Sequence, residues 1–431
     1  MAKLTNWTPE NDAFWDDKGK KIANKNLWIS VFALILAFCV WQLWSVTAVR
    51  LNDVGFNFTK GELFTLAALP GLTGATLRLV YTFLPSILGG KRTTLLTTAV
   101  LLIPAIGIGF AVQNPETPYS IMLLLAALCG LGGGNLASST ATLNPFFPKK
   151  RKGTANGINV GIGNLGVSVV QFVTPIVIGI GFIGAFTGGG QMMPDGNVVY
   201  IQNAAFIWVI PIILAFFLTL FFMDEPPVVK QSIGAQLSVL KLKHTWIMAW
   251  LYIMCFGSFI GFAAAFPLLI RSEFPEMNAV AFAFLGPFVG ASLRPAGGWI
   301  SDKVNSGAKV TFWVIISMIL ATSGVVYFLQ VHNFYGFLIM FIILFAGTGI
   351  ANGSTFRMVP FIFEEKAVAP ILGLIAAFAA YGAFFIPKIF GWSIDSTGTA
   401  DLALYIFIGY YVISLWVCWN WYTRKNCEYE C

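Results

Sequence analysis

Charge is what this sequence has least of. Only 10% of its 431 residues are Asp, Glu, Lys or Arg, against roughly 25% in an average soluble domain. So few ionisable groups cannot cover one or two soluble domains of this length, and something other than water must face much of the surface. The scarcity excludes a soluble enzyme. With 40 Phe and 14 Trp standing where charge is absent, it also excludes a disordered or nucleic-acid-binding chain. Histidine is nearly missing, at two residues. The six cysteines, Cys39, Cys129, Cys255, Cys418, Cys427 and Cys431, lie mostly inside apolar stretches at no metal-ligand spacing. They are expected to be buried apolar fillers rather than disulfides or zinc ligands, so neither a metal nor a cofactor is expected. A cleavable signal peptide is lacking too: the first apolar stretch is too long and has no small-residue cleavage pattern, and is expected to act as an uncleaved anchor.

What is present is apolar length. Stretches of eighteen or more residues recur, each long enough to cross a hydrocarbon core of roughly 30 Å at about 1.5 Å per residue. They begin with Leu27 to Val49 and end with Leu402 to Tyr422, twelve in all. Gly and Pro fall inside several, which membrane helices tolerate. A β-barrel would alternate polarity over segments of about ten residues, and no such alternation occurs. The expected fold is an all-α integral membrane protein of twelve transmembrane helices in two parallel six-helix halves. Its expected divisions are a tail at 1–26, an N-terminal bundle at 27–223, a linker at 224–244, a C-terminal bundle at 245–423 and a tail at 424–431.

The net charge of +7 is a topology signal. With the N-terminus taken as cytoplasmic, the inner segments carry nineteen Lys and Arg, from Lys3 to Lys425, and the outer segments three, Arg50, Lys60 and Arg271. This asymmetry places both termini in the cytoplasm and needs no anionic polymer to explain it.

The chain repeats itself at an offset of 215 to 218 residues. The second span reads Leu69-Pro-Gly-Leu-Thr-Gly-Ala-Thr-Leu-Arg78 and the eighth reads Leu285-Gly-Pro-Phe-Val-Gly-Ala-Ser-Leu-Arg294. Ser139-Thr140 recurs as Ser354-Thr355, Gly157 and Gly166 recur as Gly373 and Gly382, and Trp28-Ile29 recurs as Trp246-Ile247. Both copies start on the same side with six spans, so they are parallel repeats about an axis along the membrane normal. After the second arginine come Gly297-Gly-Trp-Ile-Ser-Asp302-Lys303 and Lys309. This run resembles the cytoplasmic loop motif of the major facilitator superfamily, in which an Asp and basic residues latch two helices; Asp302 and Lys303 are the matching latch residues. The first-half copy, Gly89-Gly90-Lys91-Arg92, lacks the Asp.

Four basic residues remain inside the spans: Arg78, Arg294, Arg357 and Lys388. All 19 acidic residues lie in tails, loops or span ends. A charge near the bilayer centre costs about 2.5 to 3.5 kcal/mol even on lenient scales, so each needs a reason. Arg78 and Arg294 occupy equivalent positions in the two halves. One explanation is hydrogen bonding to helix carbonyls or snorkelling; the other, favoured by the symmetry of the pair, is an anion site at the interface of the halves. A guanidinium offers a planar fork of donors suited to a small planar oxyanion. Arg357, a turn or two from Glu364 and Glu365, is expected to form an end-of-helix ion pair or a gate latch, and Lys388 to snorkel or gate. No buried Asp, Glu or His offers a proton carrier, which favours anion exchange over proton symport.

In the fifth span, glycines at 157, 161, 163 and 166 suit close helix approach or gating. Asn164 stands mid-helix, where an apolar medium demands a partner, and is a candidate neutral donor to an anion. The seventh span places Tyr252, Phe256 and Phe259 at helical spacing, with the Tyr252 hydroxyl in need of a partner. The run from Gly157 through Asn164 and Gly166 resembles the first signature of the nitrate/nitrite porter family. Gly373 through Tyr381, Gly382, Pro387 and Lys388 resembles its second, although Ala379 and Ala383 stand there for glycines and Ala376 for a small hydroxyl residue, and Val160 of the first signature stands where glycine is common. The likeness runs from the first span to the eleventh.

That resemblance implies a bacterial inner-membrane transporter that imports nitrate and exports nitrite by rocking-type alternating access. It implies anion binding by Arg78 and Arg294, with Asn164, Tyr252 and Phe256 in support, and gating or packing by Gly157, Gly161, Gly163, Gly166, Gly373 and Gly382. The expected partners are nitrate, nitrite and the lipid bilayer, with a monomer as the working unit. Nitrate uptake coupled to protons or sodium, or a non-transporting anion sensor, are the alternatives; an enzyme is not expected, because no nucleophile or metal constellation lies within the spans.

Overall fold

The computed structural model describes residues 7–431 apart from 182–183, 185–186, 195 and 226–237. Most of the expected linker at 224–244, and the first six residues of the expected tail, lie outside the described residues. The principal helices are α1 (Lys20–Trp41), α2 (Lys60–Tyr81), α3 (Gly90–Ala99), α4 (Leu102–Ala111), α5 (Tyr119–Leu143), α6 (Lys149–Val177) and α7 (Val209–Phe222). They continue as α8 (Lys243–Tyr252), α9 (Ser258–Glu273), α10 (Leu285–Val304), α11 (Gly307–Gln330), α12 (Phe334–Ile362), α13 (Glu365–Ala380), α14 (Gly382–Thr397) and α15 (Asp401–Cys418).

Among the described residues, 11 helical stretches are long and apolar enough to cross a membrane. The expected span missing from these, the eighth, at Val280 to Ile300, corresponds to the 20-residue helix α10, shifted toward its C-terminus by a few residues. At about 1.5 Å per residue it also reaches about 30 Å; Arg294, Asp302 and Lys303 are what make it too polar to stand out by hydropathy. Large apolar side chains face outward at Ile210, Phe221 and Trp313, as lipid contact requires.

Several expected spans are interrupted, three of them deep within the apolar run. Between α3 and α4 the helix loosens at Val100 and Leu101; Pro104 four residues on clashes with the Val100 carbonyl and donates no N–H. Between α8 and α9 lies a widened, π-type turn, Ile253–Gly257, which carries Phe256. Between α13 and α14 the chain breaks at Tyr381, so the eleventh span is two helices. A short hairpin, β1 (Gln191–Met192) with β2 (Val198–Val199), precedes α7. All six cysteines are free thiols, and all but Cys427 are buried.

The chain forms two compact units: residues 1–57 with 73–231, and residues 58–72 with 232–431. The 22-residue α2 is therefore divided, its first part belonging to the second unit and its Thr73–Tyr81 part to the first. In the second unit, Gly71 abuts the backbone of Ala383 and Phe384. In the first, Gly74 faces Trp41 and Gly133.

Candidate functional site

In the first unit, Arg78 is carried into the interior on the C-terminal part of α2 and is 1% exposed. Close packing makes this placement possible. A methyl at Gly133 of α5 would come within 2.8 Å of the Gly74 Cα and 2.7 Å of the Trp41 ring, so only glycine lets α1, α2 and α5 meet there. The bared Gly133 carbonyl accepts a hydrogen bond from Arg78 Nε at 2.9 Å, and the guanidinium carbon lies 5.0 Å from the Trp41 ring centroid. A cation so placed is held by the carbonyl and by the ring face.

Asn164 lies on α6, buried, with Oδ1 lacking a hydrogen-bond partner. Neighbouring amides place their donors within the unit: Asn159 donates to Ser139 Oγ at 2.7 Å, which pairs with Ser30 Oγ at 2.8 Å, and Gln171 donates to Ser45 Oγ at 3.1 Å. Of the four glycines in this span, Gly163 abuts Leu34 and Gly166 abuts Ile35 and Phe38 of α1. Gly157 and Gly161 face open space, so close approach of a helix does not account for them in this conformation.

In the second unit, Arg294 sits midway along α10, half-buried. Its Nη2 donates to the Tyr252 hydroxyl at 3.4 Å, and its carbon lies 5.1 Å from the Phe356 ring. Nη1 is buried with no hydrogen-bond partner. Tyr252 is clasped between two rings, Phe256 at 5.7 Å and 9° and Phe356 at 4.6 Å and 22°. The π-type turn sets Phe256 directly beneath it, and Gly257 inside that turn touches Gly382 at the head of α14. The Tyr252 hydroxyl donates to Asn352 Oδ1 at 2.7 Å. Asn352 is itself 2% exposed. Asn352 reaches Tyr252 because α10 and α12 meet backbone to backbone: side chains at Gly349 and Gly353 would strike the carbonyls of Gly290 and Arg294.

The remaining membrane-embedded cations have local partners. Arg357 pairs with Asp302 of α10, Nε to Oδ1 at 3.2 Å, rather than with Glu364 or Glu365 as sequence proximity suggested. The side chains that meet are one helix apart in space but 55 residues apart in sequence. Asp302 thus does join two helices, α10 and α12. Lys303 lies over Trp299 of its own helix, 3.9 Å from the ring. Lys388 donates to Thr65 Oγ1 at 2.8 Å, and Thr65 in turn donates to the Gly61 carbonyl at 2.6 Å. Gly373 faces open space.

Four contributors escape a reading of the sequence: Trp41, the Gly133 carbonyl, Phe356 and Asn352. Trp41 and Phe356 are single aromatics in an aromatic-rich chain. Asn352 left a signal, since it interrupts the apolar tenth span, and at the 215-residue offset that aligns Ser139 with Ser354 its counterpart is Ala137.

The chain matches the Major Facilitator Superfamily over residues 27–387. It is 44% identical to the nitrate/nitrite transporter NarU of Salmonella typhimurium over 98% of this chain and 96% of that protein. It is 40% identical to the probable nitrate/nitrite antiporter NarK2 of Thermus thermophilus over 99% and 98% of the two. Among solved structures, the inward-open xylose transporter XylE of E. coli superposes with a TM-score of 0.71 at 14% identity over 92% and 96% of the chains. A bacterial homologue of the lysosomal transporter Spinster does so with a TM-score of 0.69 at 14% identity over 93% and 96%. At that identity the structures speak to the fold alone. The agreement of fold, repeat and full-length similarity places this multi-pass membrane protein in the nitrate/nitrite porter family of the major facilitator superfamily, a family of transporters and not of enzymes.

Proposed function

We propose that this chain exchanges nitrate for nitrite across a bacterial inner membrane, both termini cytoplasmic, as a monomer working by rocking-type alternating access. Nitrate enters and nitrite leaves, each bound in turn by Arg78 and Arg294, with Asn164, Tyr252 and Phe256 shaping the site. Full-length similarity to proteins named nitrate/nitrite transporters supports the substrate. The observation that carries the site is Arg294: one arm of its guanidinium is held by Tyr252, and the other, Nη1, is buried with no partner. A buried donor of that kind is costly until an acceptor arrives, and an oxyanion supplies one in the planar geometry a guanidinium prefers. In this reading Gly157, Gly161 and Gly373, which meet nothing in the present conformation, are where helices slide together in another. Asp302 and Arg357 latch α10 to α12 on the cytoplasmic side.

The test is tracer nitrate counterflow in proteoliposomes, with and without internal nitrite and with an imposed pH or sodium gradient. Exchange predicts rapid uptake only when an anion waits inside, indifferent to either gradient; fast uptake into empty vesicles driven by protons or sodium would refute it. Arg78→Lys keeps the charge but loses the fork, and is expected to reduce counterflow at least about a hundredfold, the scale of roughly 2.7 kcal/mol for a charge-assisted pair.

A further inference from the structure

We propose that Asn352 is a positioning residue of the anion site: it takes the phenolic proton of Tyr252 and so turns the hydroxyl's lone pair toward Arg294. The inference rests on the reading of Arg294 as an anion ligand and deepens it.

A phenol has one proton to give and can accept in return. Here the proton goes to Asn352 Oδ1 at 2.7 Å, a short bond between two groups that are both nearly sealed from solvent. The hydroxyl oxygen is then an acceptor for Arg294 Nη2 at 3.4 Å. Were Asn352 apolar, the hydroxyl would be free to rotate its proton toward the guanidinium, a donor facing a donor. Chained bonds of this kind also polarise one another, so a proton drawn toward Asn352 makes the oxygen a better acceptor for the cation. With Nη2 fixed in this way and the carbon resting near Phe356, the direction of Nη1 is fixed as well.

The internal repeat separates this arrangement from general helix packing. Trp28 aligns with Trp246 at an offset of 218, which pairs Leu34 with Tyr252; Ser139 aligns with Ser354 at 215, which pairs Ala137 with Asn352. Both members of the hydrogen-bonded pair are thus apolar in the first half, where Arg78 is held instead by a backbone carbonyl and Trp41. The two polar residues occur together on the side where the guanidinium needs a side-chain acceptor, and neither occurs on the other. Alanine is already accommodated at the equivalent place in α5, so Asn352→Ala is a mild change for helix packing.

The experiment measures equilibrium binding of tracer nitrate to purified protein, alongside melting temperature, for Asn352→Ala, Tyr252→Phe, the double variant, Asn352→Thr and Arg294→Lys. Each of the first two is expected to weaken nitrate binding about tenfold, consistent with loss of one aligned hydrogen bond. The double variant is expected to be no weaker than either single, because both act through one relay. Asn352→Thr retains an oxygen acceptor and is expected to recover most of the affinity, which a purely structural role for the amide would not produce. Full-strength binding by Asn352→Ala, or losses that multiply in the double variant, would overturn the proposal. If Arg294→Lys also binds nitrate like the parent, the anion-site reading itself fails; if Arg294→Lys does not bind while Asn352→Ala does, only the role of Asn352 fails.

Discussion

Asn26 holds Asp224 with both ends of its amide. Its Nδ2 donates to the carboxylate at 2.8 Å while its Oδ1 accepts from the Asp224 backbone N–H at 2.8 Å, and Lys25 adds an ion pair at 2.7 Å. The amide is fully buried, so its loss strands the Asp224 backbone donor and takes one of its partners from the carboxylate, which keeps Lys25. Asn26→Leu is expected to destabilise the protein by about 2 kcal/mol, the range for a hydrogen bond to a charged group. Thermal melting checks this, and a midpoint unchanged within a degree would contradict it. The two site arginines were legible in the sequence because charge inside an apolar run is conspicuous and because the repeat pairs them. Asn352 and the Arg357–Asp302 pair were not legible, because their meaning depends on which helices touch. Arg357 has Glu364 and Glu365 near it in the chain, yet its ion pair is with α10.

At the scale of elements, glycine separates two kinds of helix contact. Along the α10–α12 seam, Gly290, Gly297, Gly349 and Gly353 leave no room for a side chain. Gly349→Leu is expected to cost about 3 kcal/mol or more through overpacking, read as a collapse of folded yield or of melting temperature. Gly157→Ala, Gly161→Ala and Gly373→Ala meet nothing and gain the helix propensity of alanine, about 0.5 to 1 kcal/mol. Their melting temperatures are expected to hold or rise; a loss of transport in variants that melt no lower would mark these glycines as moving parts. Sequence spacing showed the small residues, but not which faced a neighbour.

The segment after α15 makes a different kind of contact. Glu428 accepts from Lys243 at 3.1 Å and lies 3.0 Å from His244 Nε2, and hydrogen bonds from His244 and then Lys243 hold its carboxyl below the usual carboxylate range. A depressed pKa adds binding that is complete above the ordinary value near 4.5 and is lost as pH falls through the lower, docked value. Protection of residues 424–431 against hydrogen–deuterium exchange, taken relative to the intrinsic rate at each pH, is therefore expected to fall as pH drops below the ordinary carboxylate value and through the lower docked one, and Glu428→Gln to remove that pH step while lowering protection at neutral pH. The helix breaks at Val100, Ile253–Gly257 and Tyr381 were beyond the sequence pattern, since hydropathy continues unbroken through each.

For the whole molecule, twelve spans, the repeat and the family were legible because lipid contact and duplication leave long-range marks in composition and spacing. The proposed exchange has a measurable electrical consequence. Nitrate and nitrite carry the same charge, so a one-for-one cycle moves none overall, whatever charge the arginines themselves move in each direction. Counterflow is then expected to carry no net current, and the final distribution of nitrate and nitrite not to shift with a clamped membrane potential, checked with potassium and valinomycin; a sustained current would point to a coupled cation.

The divided helix α2 bears on how the chain is made. Its Gly61 N–H is held by Asp395 at 3.2 Å and its Thr65 hydroxyl by Lys388, contacts that span 334 and 323 residues of sequence. Residues 58–72 therefore leave the ribosome early and wait for nearly the whole remaining chain before α14 exists to receive them. Until then the glycine face at Gly71, which later abuts Ala383, has only lipid or the insertion machinery against it. Synthesis order and final packing are thus at odds at this one helix, and truncation anywhere before α14 leaves its first part without the contacts of Gly61, Thr65 and Gly71.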